Sequence, residues 1–350
     1  MGNRGSLRGP RRQSGAPAWR VDADPTAATV PEQFRPVRVA PTFRREVALG
    51  GTALDGLDHR DDAASAGFSW RELVRRATGM DLGPSKSSAY NEGLRARIRT
   101  GVGGAFPIAV LNFKGGVGKT SVVEALGSTF AAVRDDRVIA VDIDAGDLAD
   151  RHGRRNSLSL AELLADNSVT QYGQVRAHTY MNSFGLEVLG LPDYARTDWR
   201  LERSGVVKTF SVLRKHYSVL LVDCVKAVNS SAMDAVLPEA RALVLVTSAS
   251  IDAVRKTRTT LDWLCNNGYQ RLVHSTVLAV NHVEPAKPDG LAAKELQALS
   301  ARVAATVTLP FDRHIHQGKE LGLDRLSKES RRSYLELAAA LADMVPARSH

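Results

Sequence analysis

From Phe106 to the C-terminal region, short apolar runs alternate with longer stretches whose apolar positions recur every three to four residues. The runs are rich in β-branched residues and lack the in-and-out alternation of a half-exposed strand. That is the pattern of parallel strands buried on both faces. Strands are predicted at 107–112, 137–142, 186–190, 217–223, 241–247, 275–281 and 305–309. Helices fill the gaps. At 251–267, Ile251, Val254, Leu261, Leu264 and Cys265 share one face, and Asn267-Gly268 supplies a stop. Near the end, Tyr334, Leu337, Leu341 and Met344 form one stripe beside Glu336 and Asp343. With so little basic charge, this stripe predicts a core-packing helix, not a membrane-surface one. The expectation is an α/β fold: a mostly parallel twisted sheet with helices on both faces and ligands at the carboxyl ends of the strands.

The region before this pattern differs. Residues 1–64 are rich in Arg, Pro, Gly, Ala and Asp without a sustained period and read as a disordered basic extension. Residues 65–104 read as a short helical linker. Ser69 is its N-cap with Glu72 at the capping-box position, and Trp70, Leu73, Val74 and Ala77 form a stripe ending at Gly79. A second helix is predicted at 88–99, with Arg95, Arg97 and Arg99 as a solvated face. The main domain covers 105–348.

Composition narrows the class. No run reaches the roughly 18 apolar residues of a membrane span, and the basic N-terminus lacks the apolar stretch of a secretory signal. Cys224 and Cys265 have neither metal-binding nor redox spacing and read as core residues of a reduced, cytoplasmic protein. The net charge of +9 invites a nucleic-acid reading. However, residues 1–100 hold 17 Lys and Arg against 11 Asp and Glu, which leaves a surplus of only three for all the rest. Nucleic-acid binding by the main domain therefore draws little support from charge.

The densest chemistry is Asn112-Phe-Lys-Gly-Gly-Val-Gly-Lys-Thr-Ser121, placed between a predicted strand and a helix. Glycines 115, 116 and 118 let consecutive N–H groups turn toward one anion. Lys119 can reach the β- and γ-phosphates of a nucleotide, and the Thr120 hydroxyl can ligate Mg²⁺. Gly115, Gly116, Val117, Gly118, Lys119, Thr120 and Ser121 are the predicted phosphate-binding residues. Two acidic strand ends accompany the loop. Val138-Ile-Ala-Val141 leads into the alternate carboxylates Asp142 and Asp144, and Val219-Leu-Leu-Val222 closes on Asp223, the Walker B form.

A second lysine, Lys114, stands ahead of the glycines, and Phe113 occupies a position usually held by glycine. This form resembles the deviant P-loop of the MinD/ParA ATPases. The resemblance implies a P-loop NTPase fold with ATP and Mg²⁺ as ligands. It implies that Lys114 reaches a partner's nucleotide in an ATP-bound homodimer, that Asp144 orients the attacking water, and that Asp142 and Asp223 hold Mg²⁺ through water. It also implies adenine contacts from Asn281, Pro310 and Asp312, although a plain turn-forming role for Asn281 fits the residues equally well. Slow turnover and switching follow from the same likeness.

The stretch from Trp70 to Val345 resembles one branch of that family, the EspI-type ATPases associated with actinobacterial type VII (ESX) secretion. The residues that carry this include Leu148-Ala149-Asp150-Arg151, Arg176-Ala177-His178-Thr179 and Asp312-Arg313-His314-Ile315. It implies a protein partner in a secretion apparatus. Two departures bear on switching. Ala145-Gly146 follows Asp144 where relatives often have proline, and Cys224-Val225-Lys226 follows Asp223 where relatives usually have a γ-phosphate-sensing glycine. Lys226 is the candidate for supplying part of that lost contact. A DNA-binding partition ATPase, with Arg255-Lys256-Thr257-Arg258 as its basic patch, and a non-hydrolysing ATP sensor remain as alternatives.

Overall fold

The computed structural model describes residues 86–144, 147–227, 229–285 and 290–345. The expected extension at 1–64 and the expected helix at Ser69–Gly79 lie outside the described residues. The first described element is α1 (Lys86–Ile98), followed by β1 (Phe106–Leu111), α2 (Lys119–Val133) and β2 (Val138–Asp142). Three short helices, α3 (Asp147–Arg151), α4 (Leu160–Ala165) and α5 (Tyr172–Arg176), lead to β3 (Tyr180–Met181) and β4 (Glu187–Leu189). Then come α6 (Arg203–Leu213), β5 (Val219–Asp223), α7 (Ser231–Glu239), β6 (Ala242–Ser248), α8 (Ile251–Asn266) and α9 (Gln270–His274). The chain finishes with β7 (Thr276–Asn281), α10 (Gly290–Ser300), β8 (Ala305–Leu309), α11 (Arg313–His316) and α12 (Lys328–Ala342).

The eight strands form one sheet in the order β3-β4-β2-β5-β1-β6-β7-β8. Every neighbouring pair is parallel except β3–β4. The predicted α/β class holds. The seven expected strands are present, and the two-residue β3 is an addition too short to leave a periodic signal. Successive residues of a strand point to opposite faces, and the core divides accordingly. Ile108 and Val110 of β1 join Leu126 and Phe130 of α2 and Leu337 and Leu341 of α12 on one face. Ala109 and Leu111 join Phe210 of α6, Val236 of α7 and Leu261 of α8 on the other. β1, β2 and β4 to β7 are buried on both faces, which is why they read as unbroken apolar runs, whereas the edge strand β8 alternates.

The second helix expected in the linker is α1, and it belongs to the core. Leu94 and Ile98 are buried in the cluster that contains α2 and α12. Of its arginines, Arg95 departs from the expected solvated face and is buried near Glu92, whereas Arg97, paired with Asp343 at 2.5 Å, and Arg99, paired with Glu92 at 2.8 Å, are exposed. Arg134, just after α2, fastens this helix. It donates to the carbonyls of Ile98 at 2.5 Å and Thr100 at 3.0 Å and grips Asp136 with two nitrogens.

A second cluster joins α2 to α3 and to the segment after α11. Glu124 of α2 is fully buried, and its Oε1 accepts the Leu321 N–H at 2.7 Å. Arg151 lies 3.5 Å from its Oε2, and His152 Nε2 lies 3.6 Å from Oε1. Glu320 stands 3.5 Å from the imidazole's Nδ1. Burial pushes the Glu124 carboxyl up to about 7, against the pull of the Leu321 amide and Arg151.

Two predictions follow from these clusters. Arg134→Met leaves two carbonyls without their donor and should lower unfolding free energy by about 2–3 kcal/mol. Limited proteolysis should then cut within α1; a loss in urea unfolding below about 0.5 kcal/mol would contradict the fastening role. For Glu124, the folded carboxyl holds its proton to a higher pH than the unfolded one. Its contribution is therefore fully present below the unfolded value of 4.5 and is lost as pH rises through about 7. Between pH 5 and 8 the wild type should lose up to about 3 kcal/mol relative to Glu124→Gln, which keeps an acceptor for Leu321. Parallel stability–pH curves for the two proteins would show that the carboxyl ionises normally.

Candidate functional site

β1 ends where its apolar run ends, and the chain leaves the sheet at Asn112. That side chain is buried; its Nδ2 donates to the Val246 carbonyl of β6, and its Oδ1 accepts the Lys114 N–H at 2.6 Å. The start of the loop is thereby pinned to a neighbouring strand. Gly116 and Gly118 sit at φ of 79° and 84°, in the left-handed region that disfavours a Cβ. Space imposes the same choice at Gly118, where a Cβ would stand 2.4 Å from Asn281 Nδ2. Asn281, at the end of β7, donates to the Val117 carbonyl at 2.8 Å and supports the loop from behind. α2 then opens at Lys119 with no side-chain cap, so its first N–H groups face the loop, as an anion site requires.

The sheet brings the acids to this point. β2 and β5 are neighbours in a register that sets Asp142 beside Asp223. Lys119 Nζ lies 2.5 Å from Asp223 Oδ1 and 3.1 Å from Asp144 Oδ2. The Thr120 hydroxyl donates to Asp223 Oδ2 at 2.6 Å. Burial alone would depress the Lys119 ammonium, but Asp223 and then Asp144 outweigh it, and the net direction is up. Burial also raises the Asp223 carboxyl, against the pull of Lys119 and Thr120. Asp142 has a different task. Its two oxygens accept the N–H groups of Asp144 and Leu148, both at 3.0 Å, so it orients the segment that carries Asp144 into α3.

A cleft of about 610 Å³ lies over the loop, a size suited to a small ligand. Residues 114–120 and Asp144 line it, joined by Asp147, Asp150 and Arg151 of α3, by Lys226, and by Gly318 and Lys319. Ser121 is buried, and its Oγ accepts from Arg151 at 2.8 Å, which ties α3 to the helix behind the loop. Lys114 Nζ lies 3.4 Å from Ser250 Oγ, at the cap of α8. Asn281, Pro310 and Asp312 are not among the lining residues. The Asp312 carboxylate accepts the N–H groups of His314 and Ser327, both at 2.9 Å, and joins α11 to the start of α12. Burial pulls that carboxyl up, but the Ser327 amide and neighbouring donors hold it below the ordinary range.

Of the lining residues, Arg151, Asp147, Asp150 and Lys319 received no chemical role from the sequence. The signal available was a charged run a few residues beyond Asp144, in the first turn after a strand end. Among the described residues no cluster of three or more His, Cys, Asp or Glu could hold a metal by itself. The hydroxyl of Thr120 and the carboxylate of Asp223 suit Mg²⁺, which commonly takes one or two protein oxygens and completes its shell with phosphate and water.

Comparison with known proteins agrees with this geometry. The chain is 39% identical over 282 residues to the ESX-1 secretion-associated protein EspI of Mycobacterium tuberculosis. That alignment covers 78% of this chain and 42% of the relative, so the chain spans less than half of the relative's length. A ParA family ATPase from Chlorobium tepidum superposes with a TM-score of 0.57 at 18% identity, covering 67% of this chain and 98% of the other. The septum site-determining protein MinD of Pyrococcus horikoshii, complexed with Mg-ADP, gives 0.52 at 20% identity, covering 67% and 94%. At such identities the likeness is one of fold. Residues 108–315 match the family described as CbiA: CobQ/CobB/MinD/ParA nucleotide binding domain, and with more than half of its length in that match the chain belongs to this family.

Proposed function

We propose that this protein is a Mg²⁺-dependent ATP-binding switch that hydrolyses ATP slowly and pairs with a second copy around the nucleotide. The observation that carries the reading is the convergence of Lys119, Thr120, Asp144 and Asp223 beneath a glycine loop whose N–H groups open toward the cleft. Gly115, Gly116, Val117 and Gly118 would cradle the phosphates, and Lys119 would exchange carboxylate partners for phosphate oxygens. Mg²⁺ held by Thr120 and Asp223 would neutralise phosphate charge. Asp144 would place the attacking water, held in position by the hydrogen bond of its own N–H to Asp142. Lys114, whose ammonium lies at a long 3.4 Å from Ser250 Oγ, would reach the partner's phosphates.

The likeness to EspI supports service to a type VII secretion apparatus through a protein partner, in the cytoplasm. Among the described residues, no helix is long and apolar enough to cross a membrane. DNA binding is less well supported, since Thr257 is buried and Arg258 is paired with Glu295 at 3.0 Å within the proposed basic patch. A non-hydrolysing ATP sensor is the second reading, favoured by the missing glycine after Asp223, where Cys224-Val225-Lys226 stands, and by Ala145-Gly146 after Asp144.

Phosphate release with ATP and Mg²⁺ separates these readings. The wild type should turn over, and Asp144→Ala should bind ATP in calorimetry yet release phosphate at least about 100-fold more slowly. Undiminished turnover in that variant would remove the water-placing role, whereas binding without turnover in the wild type would leave the sensor. Lys114→Ala should bind ATP as a monomer in sedimentation while the wild type dimerises; equal dimerisation of both would sink the role of Lys114 across the interface.

A further inference from the structure

Lys226 reaches the cleft from a firmly held base. Cys224, one residue past β5, is fully buried, and its N–H donates to the Val110 carbonyl of β1 at 3.1 Å. The chain is locked to the sheet up to that point and then turns outward, and two residues later Lys226 lines the cleft. Its stem lies across the phosphate loop: a Cβ placed on Gly115 would meet Lys226 Cε at 3.9 Å and nothing else within 4 Å.

Three other cations near the loop are already engaged. Lys119 holds two carboxylates, Lys114 meets Ser250, and Arg151 holds Ser121 beside Glu124. Among the described residues Lys226 makes no hydrogen bond or ion pair, although Asp144, Asp147 and Asp150 line the same cleft. Lys319 is likewise unpaired there, but it comes from the segment after α11 and does not lie over Gly115.

We propose that Lys226 is a specificity-determining residue that recognises the terminal phosphate of a nucleoside triphosphate and so separates it from the diphosphate. The proposal rests on the ATP-binding reading above. The loop N–H groups would cradle the phosphates common to both nucleotides, Lys119 would reach the β- and γ-phosphates, and Lys226 would meet the further charge that only the triphosphate carries. An ammonium on a four-carbon stem is a mobile point charge that can follow that phosphate. A backbone N–H at the same place would be fixed and neutral. Recognition by Lys226 should therefore be more sensitive to salt.

Calorimetry with Mg²⁺ and either AMP-PNP or ADP tests this on the full chain. Lys226→Ala should weaken AMP-PNP about 10- to 100-fold, as loss of a charge-assisted contact does, and leave ADP within about twofold. Lys226→Arg should recover most of the difference, which also shows that the position tolerates substitution. An unchanged ratio of the two affinities in Lys226→Ala, or equal losses for both nucleotides, overturns the proposal while leaving ATP binding intact. A wild type that binds neither nucleotide overturns both readings together.

Discussion

A carboxylate buried at the end of β5 is the constraint around which this site is arranged. Asp223 is 1% exposed, and an isolated charge at that depth would be strongly unfavourable. It is tolerated because Lys119 and Thr120, adjacent residues at the first turn of α2, satisfy one oxygen each. Those two residues can reach Asp223 only if α2 starts directly over the strand ends. That start is possible only if Gly118 takes a left-handed turn against Asn281. The glycine loop, the amide behind it and the acid below it are thus one structure held in common.

The parallel sheet does the remaining positioning. Strands buried on both faces cannot slip register without burying the wrong residues, and a fixed register sets Asp142 beside Asp223. The adjacent acids are kept apart in purpose by their hydrogen bonds. Asp223 is surrounded by a cation and a hydroxyl, whereas Asp142 is surrounded by backbone N–H groups. The contacts of Asp223 are to side chains at the foot of the cleft, and those of Asp142 are to the chain that follows it.

Much of this was legible in the sequence because local signals carry it. A glycine loop and an apolar run closing on an acid are contiguous, and their chemistry survives without knowledge of tertiary contacts. Asn281 and Asp312 show where that legibility ends. Both sit at strand ends beside the sheet's ligand edge, and residue type alone fits an adenine contact, a turn or a brace. Only the fold shows that one amide is spent on the Val117 carbonyl and one carboxylate on α11 and α12. Arg95 failed to announce its burial for a related reason, since an arginine among arginines in a weakly apolar helix looks solvated until α12 covers it. Glu124 lies one turn behind the loop, and neither its neighbours in sequence nor its charge hints at His152 and Leu321, which the chain returns to it from far downstream.

These braces also determine what can move. α3 is fastened at both ends, by Asp142 to the Leu148 N–H and by Arg151 to Ser121. Arg151 approaches Glu124 as well, and Glu124 holds the backbone of the segment after α11. The backbone of Asp144 is held separately, by its own N–H to Asp142. Lys226 is under no such restraint: the chain beneath it is anchored at Cys224, while its ammonium is unpaired among the described residues. On the function proposed above, Asp144 and Asp223 would set where water and metal stand, and Lys226 would adjust to the number of phosphates present.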